Sequence, residues 1–310
     1  MKRTLLLSLG LVALIGTSIA QAAPGDRLRE RLRERMAERA AEDAKIPAAR
    51  PDQMIAYGKD PMQGLNFWRA KGTRGPAPLI MFVHGGGWSK GSKDNATGRA
   101  KVTHYPDQGY AFASIDYRLV PNATVEQQAA DVAAALKALL DRAGELGIDR
   151  GKVVLMGHSA GAHLVALVGT DPQYLRAVSL SHADVDGVIP LDGAAYDIPA
   201  QFADAGGRMA QIYTAAFGTE PARQKALSPI SHAAEPNAGA FLFPHVDRAD
   251  AVRQNEPLAA ALRAARTPAE TARVEGRGLI GHMEINRKLG EADYPATPIV
   301  DAWLKKLFGR

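Results

Sequence analysis

The segment that most restricts the fold of this chain is Lys152-Val-Val-Leu-Met-Gly-His-Ser-Ala-Gly-Ala-His163. An apolar run that reads as a buried strand (152–156) passes through Gly157-His158-Ser159-Ala160-Gly161 into an apolar run that reads as a helix (160–168). A strand-to-helix turn this tight leaves room only for small residues two places either side of its centre. It holds the central serine at a strained backbone angle with its hydroxyl exposed. The amide of the following residue opens the helix and points at the same space, where it can stabilise an anion. Ser159 is therefore the candidate nucleophile, and an ordinary turn with a capping serine is the alternative.

The rest of the chain supplies sheet and helices around that turn. Strands are expected at Gln53–Tyr57, Leu65–Ala70, Leu79–Val83, Tyr110–Ile115, Val185–Leu191, Ala240–Phe243 and Thr271–Glu275. Helices are expected at Val125–Leu140, Asn255–Ala265 and Pro298–Leu307. Leu79-Ile-Met-Phe-Val83 has no polar break, as befits a strand covered on both faces. Strands alternating with helices imply an α/β fold with a mostly parallel central sheet and helices on both faces. Residues 197–236 separate two strands by more than a crossover needs, and read as a small cap insertion at the carboxyl edge of the sheet.

The chain's ends differ from this body. Met1-Lys-Arg is a short positive segment, residues 4–19 are apolar, and Ala20-Gln21-Ala22 is a small-residue cleavage pattern, so residues 1–22 read as an export signal. The apolar run is short of the ~20 residues that span a bilayer, so stable membrane insertion is not expected. Residues 23–52 read as a charged helical arm and linker, with apolar Leu28, Leu32, Met36 and Ala40 four apart. Residues 53–310 form the catalytic body. The formal charge is +5, and most of it sits in the leader and arm. The body offers no concentrated basic face for nucleic acid. Cysteine is absent, which removes disulfides, thiolate metal sites and a cysteine nucleophile. A chain of this size buries roughly three quarters of its unfolded surface and needs no such staple.

Three further segments carry chemistry. His84-Gly85-Gly86-Gly87-Trp88 follows the 79–83 strand, and its glycines let backbone amides approach a substrate closely. A phosphate-binding loop is the rival, but Ser92-Lys93 stands where Lys-Ser/Thr is required. Gly281-His282-Met283-Glu284 follows the last strand, where a loop would deliver a general base to Ser159. His245-Val246-Asp247-Arg248-Ala249-Asp250 follows the 240–243 strand and offers Asp247, or Asp250, as the acid that orients the histidine. Asp247 lies closer to the strand end and is preferred.

With these motifs in view, residues 53–308 resemble the α/β-hydrolase superfamily, in the esterase/lipase branch with an HGGG loop. The resemblance rests on Tyr57-Gly-Lys-Asp-Pro61, His84-Gly-Gly-Gly-Trp88, Asp116-Tyr-Arg-Leu119, Gly157-His-Ser-Ala-Gly-Ala-His163, Asp192-Gly193 with Tyr196-Asp197, and His282-Met-Glu-Ile-Asn286. It is similar to small carboxylesterases, feruloyl-esterase-like proteins and formylkynurenine-formamidase-like proteins. His158 stands where the hormone-sensitive-lipase pattern prefers Asp, and His245-Val246 replace the usual Gly-x-x before the acid. The resemblance implies an α/β-hydrolase fold and an oxyanion hole from Gly86, Gly87 and Ala160. Its order of triad residues is that of Ser159, Asp247 and His282. It implies no metal and no cofactor. The expected activity is hydrolysis of small acyl or aryl esters by an exported serine carboxylesterase. An arylformamidase-like amidase and a feruloyl or acetyl carbohydrate esterase are the alternatives. Trp88 and Tyr196 are expected to line the mouth, with a small-molecule ester as the partner.

Overall fold

The structure is a computed structural model that describes residues 49–234 and 236–309. The expected export signal and almost all of the charged arm lie outside the described residues.

Eight strands form one sheet: β1 (Gln53–Ala56), β2 (Gly64–Trp68), β3 (Ala77–Val83), β4 (Ala111–Ile115), β5 (Ile148–His158), β6 (Gly187–Leu191), β7 (Phe241–Asp247) and β8 (Ala269–Arg277). Their order across the sheet is β1-β2-β4-β3-β5-β6-β7-β8. β1 and β2, and β2 and β4, run antiparallel. All other neighbours are parallel.

β3 shows why a two-layered core forms from an unbroken apolar run. Successive side chains of a strand point to opposite faces. Leu79, Met81 and Val83 enter one core, with Val132, Leu136 and Leu164 of the helices on that side. Ile80 and Phe82 enter the other, with Tyr105, Ile285, Trp303 and Leu304. The helices are α1 (Lys101–Asp107), α2 (Val125–Asp141), α3 (Ala143–Leu146), α4 (Ala160–Thr170), α5 (Pro172–Ala177), α6 (Ile198–Asp204), α7 (Gly207–Phe217), α8 (Pro221–Ala226), α9 (Ala249–Ala264), α10 (Gly278–Lys288) and α11 (Ala296–Phe308). α2 begins where Thr124 and Gln127 each accept the other's backbone amide through their side chains, a pairing that satisfies two otherwise orphaned donors. Every residue of α4 is buried, which explains its lack of a polar face. No helix among the described residues is long and apolar enough to cross a membrane.

Two expectations change in detail. β5 runs to His158, longer than the 152–156 run suggested, so Ser159 sits directly on the strand end. The segment 281–286, expected as a loop, lies inside α10. Within the stretch 197–236, the described residues form α6, α7, α8 and a short 3-10 turn between β6 and β7. The prolines and glycines that mark this stretch divide it into short helices. Pro199 lies in the first turn of α6 and Pro221 opens α8, positions where proline costs no hydrogen bond.

Candidate active site

The strand-to-helix turn has the strain its sequence implies. Ser159 has φ 55° and ψ −116°, outside the ordinary regions for a residue with a side chain. A Cβ at position 157 would run into the carbonyl of Gly161, and one at 161 into the carbonyl of Val83. Only glycine fits at either place. The Ser159 amide donates to Leu191 O (3.2 Å), which ties the turn to the end of β6.

His282 faces the serine from the second turn of α10. Its Nε2 lies 3.1 Å from Ser159 Oγ, and its Nδ1 lies 2.6 Å from Asp192 Oδ2. A carboxylate only accepts, so Nδ1 carries the proton and Nε2 is free to accept from the serine hydroxyl. Asp192 is the first residue after β6 and is completely buried. Its other oxygen, Oδ1, accepts the Val246 amide (3.0 Å), and its own amide donates to Pro244 O (2.8 Å). Ser159, His282 and Asp192 thus form a continuous hydrogen-bonded line.

Asp247 is not part of that line, which corrects the expectation for the acid. β7 breaks register against β8 between His245 and Asp247. Val246 turns inward and is fully buried. Asp247, next in the strand, turns outward and pairs with Arg273 Nη2 (2.9 Å) and Arg277 Nε (3.7 Å), its side chain 41% exposed. Asp250 also stays away from His282; its carboxylate lies 3.6 Å from Arg248. β7 contributes an amide to the site, and β6 contributes the carboxylate.

The glycine loop lies against the nucleophile. A Cβ on Gly85 would meet Ser159 Cβ at 3.0 Å and His158 Nδ1 at 2.9 Å. Gly86 has φ 129°, and a Cβ there would strike the Lys90 carbonyl. At Gly87 (φ 60°) it would approach Ile212 of α7 at 3.2 Å. His84 anchors the loop's start. It is fully buried, its Nδ1 bonds Gly85 O (2.7 Å), and its ring stacks on Tyr117 at 4.3 Å. Burial lowers its affinity for a second proton. Ala160 is the first residue of α4, so its amide is one of the four that a helix cannot bond internally.

Trp88 and Tyr196 do not line an open mouth. Trp88 is 4% exposed, with Phe217 (4.7 Å) and Tyr213 (6.0 Å) of α7 edge-on against it. Its Nε1 donates to His163 Nδ1 (3.3 Å), while its carbonyl accepts from Val120 N (3.0 Å) and Gln128 Nε2 (2.7 Å). His163 in turn bonds Leu227 O (2.9 Å), and burial brings its pKa down to about 4. Tyr196 is fully buried edge-on to Phe243 (5.9 Å), its hydroxyl filling the space beside Gly193. Both rings fix loops that carry the site.

Two residues support the histidine from behind: His158, whose place beside the nucleophile suggests packing or hydrogen-bonding work, and Lys101, which the sequence does not signal. His158 donates from Nε2 to the carbonyl of His282 (2.9 Å), and the two rings lie 4.5 Å apart. Burial, then the neighbouring His282, holds His158 well below the ordinary imidazole range, so it is a neutral prop. Lys101, completely buried, grips α10 one turn beyond the histidine. Its Nζ donates to Asn286 O, Asn286 Oδ1 (3.0 Å) and Thr97 O (2.8 Å), and it lies 5.0 Å from the Phe82 ring centroid. Burial brings its pKa down to about 7. A lysine next to Val102 in an amphipathic stretch gives no signal that it points inward. The clue for Asp192 was stronger: it follows an unbroken buried strand and precedes a glycine.

With the geometry described, comparison with known proteins places the chain. The BD-FAE family model matches residues 65–257, more than half of the chain. The chain belongs to the BD-FAE family. BD-FAE membership covers β2 to the middle of α9, so it includes Ser159, Asp192 and the glycine loop, while His282 lies beyond it. Among curated proteins, esterase LipC of Mycobacterium tuberculosis is 32% identical over 243 residues, 74% of this chain and 57% of LipC. The chain thus spans little more than half of LipC. Kynurenine formamidase of Drosophila melanogaster is 31% identical over 123 residues, 40% of this chain and 39% of that enzyme. Among solved structures, the butyrate-bound esterase 2 of Thermogutta terrifontis superposes with a TM-score of 0.65 at 23% identity, covering 82% of this chain and 94% of that one. That likeness, together with the sheet order, establishes the α/β-hydrolase fold for this BD-FAE member.

Proposed function

We propose that this protein is an exported serine carboxylesterase that hydrolyses small acyl or aryl esters, with Ser159 as nucleophile, His282 as general base and Asp192 as the orienting acid. The observation that carries the reading is the line from Ser159 Oγ through both ring nitrogens of His282 to a buried carboxylate. The similarity to LipC over three quarters of the chain supports an ester as the substrate class. Residues 1–22 support export.

The steps follow from the donors and acceptors present. Ser159 Oγ attacks the ester carbonyl carbon as His282 Nε2 takes its proton. Asp192 stabilises the imidazolium so formed without accepting the proton itself. The carbonyl oxygen becomes an oxyanion. The amides of Gly86, Gly87 and Ala160 are its stabilisers in this reading, worth ~3–4 kcal/mol each in the transition state. The C–O bond to the alcohol breaks, and His282 returns the proton to the departing oxygen. Water then attacks the acyl-enzyme, His282 takes its proton, and the second tetrahedral intermediate releases the carboxylate and restores Ser159.

The test is turnover of p-nitrophenyl acetate and butyrate by the mature protein, beside Ser159→Ala and fluorophosphonate labelling. Ser159→Ala loses about 10⁴-fold or more in kcat, and the label lands on Ser159. A loss below about tenfold contradicts the nucleophile. An amidase of the formamidase type is the second reading, favoured by the match to kynurenine formamidase. N-formylkynurenine turnover far above ester turnover selects it.

A further inference from the structure

Arg248 begins where β7 ends and packs across the carboxylate that faces His282. Its Nε lies 3.0 Å from Asp192 Oδ2, in an ion pair with its side chain 16% exposed and the aspartate wholly buried. Its Nη2 donates to the Asp192 carbonyl (3.2 Å). His282 Nδ1 reaches the same Oδ2 at 2.6 Å. Oδ1 is taken by the Val246 amide. One carboxylate oxygen is therefore shared between the imidazole and a permanent cation.

We propose that Arg248 is a positioning residue that clamps Asp192 toward His282 and, by its charge, sets the pH range in which His282 is free to act as base. The inference rests on the triad reading above. A neutral donor in this place could orient the carboxylate equally well. A guanidinium does more, because it stays charged throughout the working pH range. Its positive charge works against a second cation on an imidazole that shares its counter-ion. The other groups around His282 do not replace it. His158 is neutral. Tyr196 and Tyr294, which sense Asp192, are pushed up by burial and remain uncharged phenols. Lys101 is held on the carbonyls of Thr97 and Asn286 and acts, as Arg248 also does, on His158. Asp250 faces the outer edge of Arg248 at 3.6 Å, and Glu284 lies two residues along α10, paired with Arg287 and Lys288.

The experiment is the pH profile of kcat/KM on p-nitrophenyl butyrate for the wild type, R248M, R248Q and R248K, with fluorophosphonate labelling of each. Loss of the cation moves the acid limb to higher pH by about one unit in R248M and R248Q. In R248K, which keeps the charge, the limb stays within about 0.3 unit of the wild type while kcat falls, because a single ammonium does not reproduce both the ion pair to Oδ2 and the bond to the Asp192 carbonyl. R248Q keeps a donor toward Asp192, so it and R248K carry the test if R248M does not fold. Neutral variants whose limb coincides with the wild type overturn the inference, as does a lysine variant displaced as far as the glutamine one. A wild type that takes no label at Ser159 overturns the triad reading and this inference together. A labelled wild type with an unmoved limb in R248Q overturns the inference alone.

Discussion

The carboxyl ends of β6 and β7 lie side by side, and each carries an aspartate, yet the two have opposite surroundings. Asp192 leaves β6 at φ 43° and drops into the interior, where an imidazole, a guanidinium and a backbone amide take its oxygens. Asp247 ends β7 on the solvent side, against two exposed arginines of β8 and its edge. The difference comes from backbone register and not from the residue type. The irregularity after His245 turns Val246 inward, and its buried side chain and inward amide leave the next side chain no route but outward. Of these two carboxylates at neighbouring strand ends, only the one that leaves its strand inward reaches the histidine.

That comparison can be broken from either side. The largest effect on stability falls on Asp192→Ala. It strips the partner from a mostly buried Arg248, and breaking such a pair costs about 3–5 kcal/mol. Urea unfolding followed by circular dichroism reads the loss. A drop under about 1 kcal/mol means the carboxylate is not the hub described.

Next in size is the pH dependence contributed by His163, which holds Trp88 and so the glycine loop. Its folded pKa of about 4 lies below the ~6.5 of an unfolded histidine. Between these values the unfolded chain binds a proton that the folded chain refuses. Stability therefore rises with pH across that window and is lost as pH falls from ~6.5 toward 4, by up to about 3 kcal/mol for this one group. His84, His158 and His182 are lowered by burial and act in the same direction. In His163→Gln the slope of unfolding free energy against pH below 6.5 is visibly shallower; an unchanged slope contradicts the account.

His158→Phe removes support for His282 from the nucleophile's side. The ring packing survives and the bond to the His282 carbonyl does not, so kcat falls about 10- to 100-fold with KM little changed. Steady-state kinetics on one ester decides it. The smallest effect belongs to Asp247→Ala, whose exposed pairs are worth little: the urea midpoint moves by no more than about 0.5 kcal/mol equivalent.

The sheet was readable because its central strands are mostly apolar stretches next to glycines and prolines: Leu79–Val83, without a polar break, and Val185–Leu191, broken only by Asp186 and Gly187, match β3 and β6 within two residues. Ser159 was readable because its turn has a steric requirement that only two glycines meet. His282 is legible as the histidine after the last strand, but the loop expected there is wound into α10. The carboxylate that meets His282 was misplaced for a physical reason. Asp192-Gly193 was visible as a motif, but which of two adjacent strand ends aims at the histidine depends on a register break between β7 and β8, a tertiary pairing that one strand's sequence does not carry. Lys101 and Arg248 escaped because their partners lie 185 and 56 residues away.

The most direct measurement is kcat/KM on p-nitrophenyl butyrate for Asp192→Asn and Asp247→Asn, side by side at pH 8. The account predicts a loss of about 10³- to 10⁴-fold for Asp192→Asn, whose neutral amide does not stabilise the imidazolium and whose NH2 can favour the wrong imidazole tautomer. It predicts a change within about twofold for Asp247→Asn, in line with an exposed pair remote from the reacting atoms. The reverse ranking, with Asp247→Asn inactive and Asp192→Asn near wild type, would contradict it.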